Sequence, residues 1–265
     1  CLSETAATMK VSIYLPALTC CRLRLYPQAN IKREAGKVAK SAFRQAMEAA
    51  VDEKHCVDHP MTEQWAQGEI SKDCLMGWAV EQYHWVSNIR SKDFYICAHA
   101  PNDVIDAQMG RRHEEIDPEH SHLDIMLRFA AVNGADVAAV KAGRGLPTTR
   151  SFVAWIDNVA ITQPWYAAIA ATKVASESQS PRLYSKVLPA LRDTYKFEEP
   201  DIEHFWLHSE VDIEHGDEGY ELLERHCTTP EQQEICIHYA REGARMRWFH
   251  FDGIYLHYEK GYALT

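Results

Sequence analysis

Apolar residues in this chain recur at three and four, and no stretch between turn signals sustains alternation by two. That pattern excludes a sheet and leaves packed helices as the way to bury a core. Ala35, Val38, Ala39, Ala42, Phe43, Ala46 and Ala49 predict a helix running to about Asp52. Pro60 opens a short helix ended by Gly68, and Ser71 is the N-cap of the next, which carries Trp78, Tyr83, Trp85 and Ile89. Further helices are expected from Asn102 to Glu115, from the Asp117-Pro118 restart through Phe129, at Asp136 to Lys141, and at Ser151 to Asn158. An Ala-rich helix follows from Trp165 to Ser176, then one from Pro181 to Tyr195, one after Pro200, and a long one from Thr229-Pro230 towards His257. The reading is one all-α domain over residues 29–265, a bundle of about seven to eight helices. Residues 1–28 show no sustained period and read as an atypical or poorly ordered leader.

Composition narrows the function. A net charge of −10 argues against nucleic acid and anionic membrane surfaces as partners. No run of about 18 apolar residues exists to span a bilayer. The eight cysteines form no C-x-x-C pair, which fits a reducing, cytoplasmic compartment and leaves metal chemistry to the 14 histidines.

His208, Asp212 and His215 read H-x3-D-x2-H. On a helix these positions share one face, so two imidazoles and a carboxylate project together, a set suited to Fe(II). An exposed acidic face with chance histidines would give the same letters. Glu115 precedes His122 by seven residues, two helical turns, while Glu119 precedes it by three. Glu177 closes the Ala-rich helix, either turned inward as a ligand or exposed and paired with Lys173. Glu81 and His84 form a further E-x-x-H, but among aromatics, where His84 reads as a hydrogen-bonded core or pocket residue.

In order, Glu115, His122, Glu177, His208, Asp212 and His215 resemble the ligand pattern of the heme-oxygenase-like di-iron oxidases and oxygenases. Members include p-aminobenzoate synthases, fatty-acid decarboxylases and N-oxygenating enzymes. Similar stretches run from Glu63 to Ser71, from His122 to Phe129, and from Glu177 to Pro181. The resemblance implies a heme-oxygenase-like bundle around two iron ions, with Glu177 bridging them as the catalytic carboxylate and Glu119 as the alternative to Glu115. It implies O2 as co-substrate and a small organic substrate of amino-acid or carboxylate class. It is compatible with a manganese–iron pair, an external electron donor and a homodimer. The same fold holds metal-free TenA-type thiaminases, which use a cysteine nucleophile; Cys74 and Cys97 are the candidates for that role here. A helical binding protein without activity is the third reading.

Overall fold

Local capping sets the helix boundaries. The computed structural model describes residues 40–110 and 121–264, with the backbone alone for residues 90 and 210–216. The expectations for the leader, for residues 29–39 and for the Asp117-Pro118 restart lie outside the described residues. Helix α1 spans Ala42–Asp52; the predicted earlier start does not run through, because the Ser41 hydroxyl accepts from the Arg44 amide at 3.1 Å and begins the helix there. Helix α2 is Pro60–Ala66, with proline in its first turn, and Gly68 then takes φ +75°, where other residues are strained. Helix α3, Lys72–Val86, starts on the predicted Ser71 cap. It stops before Ile89, which opens a separate helix α4, Ile89–Cys97.

Helices α5 (Asn102–Gly110), α6 (His122–Val132) and α7 (Val137–Ala142) follow. Helix α8 runs Pro147–Thr162, longer than the expected Ser151–Asn158, since Pro147 starts it with a fixed φ. The Ala-rich stretch is not one helix. Helix α9, Trp165–Ile169, widens into a π-helical turn over Ala170–Val174, and Glu177–Gln179 form a 3-10 turn. Helices α10 (Ser180–Asp193), α11 (Glu203–His226) and α12 (Pro230–Ile254) follow, and a π-helical turn over Tyr255–Glu259 extends α12. Thr229 and Gln232 form a reciprocal capping box at the start of α12. Such splitting gives more helical segments than the seven or eight expected; no strand occurs among the described residues. No described helix is long and apolar enough to cross a membrane.

Among the described residues, two large cores and a small third one of Trp85, Phe152 and Ile156 hold the bundle. Around the Ala-rich segment, Ala167 to Ala171 pack with Leu223, Ala240 and Ala244. Small side chains let α12 approach closely: a Cβ on Gly243 would lie 2.5 Å from the Ala175 Cβ and 2.6 Å from the Ala171 carbonyl oxygen. Earlier on α12, Cys236 Sγ lies 4.0 Å from the Tyr166 carbonyl. The pairs 236 with 166 and 243 with 171–175 show that α12 runs parallel to the Ala-rich segment. The second core is aromatic. Trp78 stacks on Phe205 at 5.0 Å, Trp65 meets Trp78 edge-on at 5.2 Å, and Phe129 meets Phe205 at 4.8 Å. Each such pair adds about 0.5–1.5 kcal/mol beyond its buried area. This cluster joins α2, α3, α6 and α11 and forms the floor of the histidine site.

Candidate metal centre

Helix α6 begins at His122, and its start is fixed by Ser121, whose hydroxyl accepts from the Asp124 amide at 3.2 Å. Helix α11 carries His204 and His208 one turn apart, on one face. The two helices bring the His122 and His208 rings to 4.6 Å between centroids, edge to face. Residues 86 positions apart in sequence therefore meet in the fold.

The His208 ring is oriented by backbone. Its Nδ1 lies 2.7 Å from the His204 carbonyl oxygen, which can only accept. The proton is therefore on Nδ1, and in the neutral ring Nε2 is the nitrogen with the lone pair. A second hydrogen bond of this kind is what fixes the tautomer of a metal-ligating imidazole. Beside it, the His204 ring lies 4.1 Å from that of His208, tilted by 36°, and 5.6 Å from that of Trp78. Its Nε2 is 3.2 Å from the Tyr184 hydroxyl, while its buried Nδ1 has no partner. Burial first, then the neighbouring His208, His122 and Arg247, holds the His204 pKa well below the usual histidine range, so this ring stays neutral.

Glu177 is partly buried on the 3-10 turn that leads into α10, the helix of Tyr184. Its Oε1 lies 3.9 Å from the ammonium of Lys92, a buried residue of α4 that also sits 3.6 Å from Asp93. Lys173 donates to Glu218 at 3.0 Å. Asp212 and His215 lie on α11 as the spacing required, with backbone alone described; Glu115 and Glu119 lie outside the described residues. Among the described residues, no three His, Cys, Asp or Glu converge as a metal site. What the structure brings together is the His122 and His208 pair, the first ring half-buried and the second buried, a nitrogen donor type that fits a borderline metal such as iron.

His204, Tyr184 and Lys92 were not singled out by sequence. His204 carried a readable signal, since it extends the motif by one turn to H-x3-H-x3-D-x2-H. Tyr184 and Lys92 carried none, because their approach depends on packing. Glu81 belongs elsewhere: its Oε2 accepts from the Leu146 amide at 2.8 Å and the Thr149 hydroxyl at 2.5 Å, and its Oε1 from Tyr258 at 3.1 Å. Thr149 continues to His250, and His250 to Gln82, a buried network that joins α3, α8 and α12. His84 is half-buried beside it, and burial lowers its pKa. Cys74 is buried, and burial together with the Glu259 carboxylate pushes its thiol up, opposite to what a nucleophile needs.

A helical bundle of heme-oxygenase-like fold with paired imidazoles at its centre defines a class of metal-dependent oxidoreductase. Residues 77–248 match the family described as iron-containing redox enzyme, and the chain belongs to that family. It is similar to a 4-aminobenzoate synthase of Nitrosomonas europaea, 29% identical over 235 residues, covering 83% of this chain and 94% of that protein. It is also 25% identical to a pyrroloquinoline-quinone synthase of Granulibacter bethesdensis, covering 80% of this chain and 85% of the relative. Among solved structures, a domain of unknown function with a heme oxygenase-like fold from Shewanella denitrificans superposes with a TM-score of 0.69 at 19% identity, covering 81% of this chain and 90% of that one. A TenA homolog from Pseudomonas syringae superposes at 0.70 with 13% identity, covering 80% and 92%.

Proposed function

We propose that this iron-containing redox enzyme binds two iron ions and uses O2 to oxidise or oxygenate a small organic molecule. The His122 and His208 pair carries the reading, because its rings lie 4.6 Å apart and the buried His208 ring is held at Nδ1 by the His204 carbonyl, the ligating tautomer. The residues that would hold the two ions are Glu115 or Glu119, His122, Glu177, His208, Asp212 and His215, with Glu177 shared between them. Iron so held supplies the electrons that O2 activation needs. A manganese–iron pair suits the same ligands.

The chain's own groups set the conditions. His204 and its carbonyl hold the His208 ring against rotation. The aromatic floor of Trp78, Phe129 and Phe205 excludes water from one side of the site. Lys92 supplies a buried positive charge beside the Glu177 carboxylate. A substrate of amino-acid or carboxylate class is supported by the names of the synthases this chain resembles. An external electron donor and a homodimer complete the reading, and the buried thiols of Cys56, Cys74, Cys227 and Cys236 support a reducing, cytoplasmic setting.

Elemental analysis after anaerobic Fe(II) loading tests this. The full chain is expected to hold two irons, and His122→Ala and His208→Ala each to lose at least one. A wild type that retains no iron after desalting, or a His208→Ala variant with unchanged stoichiometry and affinity, refutes the proposal.

A further inference from the structure

Arg247 lies on α12 and is fully buried, yet among the described residues Nε, Nη1 and Nη2 all lack a hydrogen-bond partner. A buried charge without acceptors is among the most costly arrangements a core can hold. Aromatic rings do not relieve it: Trp85 and Phe251 lie 5.4 and 6.0 Å from the guanidinium carbon, at the outer limit of cation–π contact. The other buried unpartnered atoms are single, neutral groups, so this residue stands apart.

Its place in the fold says what could satisfy it. Helix α12 runs parallel to the Ala-rich segment, with Cys236 at the level of Tyr166 and Gly243 at that of Ala171 and Ala175. One turn beyond Gly243, Arg247 reaches the level of Ser176 and Glu177. The Ser176 hydroxyl is buried there and also lacks a partner. Two donor groups without acceptors thus sit at the level of the carboxylate assigned to the iron site.

We propose that Arg247 anchors a carboxylate group of the substrate, with Ser176 as an accessory donor, and so holds the organic body of that substrate beside the histidine site. The planar guanidinium fork matches the two oxygens of a carboxylate. Trp85 and Phe251 flank it with rings suited to an organic rather than an inorganic anion. The proposal deepens the two-iron reading and rests on it for the identity of the neighbouring centre.

Calorimetric titration of the iron-free full chain provides the test, with benzoate, 4-aminobenzoate and hexanoate as probes, each paired with its neutral amide, and inorganic phosphate as a further arm. At least one acid is expected to bind about tenfold or more tightly than its amide, the effect of one charge-assisted hydrogen bond. Arg247→Met should erase that preference while melting, without ligand, at or above the wild-type temperature, because an uncompensated charge has been removed. Arg247→Lys should keep part of the preference. The proposal is overturned if no acid binds the wild type, if the preference survives in Arg247→Met, or if phosphate binds as well as the acids. A marked loss of stability in Arg247→Met would identify a structural strut and overturn it too. Iron content of the same variants is read separately. Acid preference without iron would sink the two-iron reading alone, and iron without acid preference would sink this anchor alone.

Discussion

Replacing Gly243 by alanine probes the contact that sets the level of Arg247 against Glu177. The added Cβ would stand 2.5 Å from the Ala175 Cβ and 2.6 Å from the Ala171 carbonyl oxygen. Neither neighbour is the end of a flexible side chain, so one of the two elements must shift. Overpacking of this kind costs about 1–3 kcal/mol. Alanine is the better helix former by about 1 kcal/mol, which offsets part of that cost. The net expectation is a loss of up to about 2 kcal/mol, or up to about 8 °C in Tm for a chain of this size. Urea denaturation of the iron-free protein measures it. The shift should also disturb the segment that leads to Glu177, so iron content after loading should fall. Ala175→Gly in the same background should restore part of the stability, leaving the clash with the Ala171 carbonyl. A Gly243→Ala variant as stable as the wild type, with full iron, would refute the close approach and with it the inferred level of Arg247.

Three further outcomes follow from the structure and sequence. Glu115→Ala and Glu119→Ala should differ in iron retention, with Glu115 the more costly, because the two lie at different spacings from His122; equal and mild effects in elemental analysis would place both in solvent. Burial, aided by Arg182 and Arg247 at His55 and by Arg247 at His250, pushes both histidines down to about 3. The unfolded chain therefore binds more protons between pH 6.5 and about 3, and stability should fall as pH falls, by about 1.4 kcal/mol per pH unit for each histidine. Denaturation at pH 6 and 4.5 should show a shallower dependence in His250→Gln, and an unchanged slope would contradict the assignment. Glu81→Ala strands the Leu146 amide and two hydroxyls in the core and should cost about 2–5 kcal/mol, while Glu81→Gln retains wild-type iron stoichiometry; iron loss in the glutamine variant would make Glu81 a ligand.

Much of the helical architecture is written locally. Ser71, Pro60 and Thr229 mark helix starts because capping satisfies backbone groups within three residues of the cap. The shared face of His208, Asp212 and His215 is equally local, since it needs only the helical repeat. The break of the Ala-rich helix into a π-helical turn was not legible, since its composition favours an unbroken helix; the turn lies where Gly243 of α12 packs closely against Ala171 and Ala175. Nor could the sequence pair His122 with His208, place Lys92 beside Glu177, or show that Arg247 lacks an acceptor. Those facts depend on how whole helix faces meet across long sequence separations. The repeat of a helix fixes which residues share a face. Only the packing of the bundle decides which faces meet, and so which charges are left without partners.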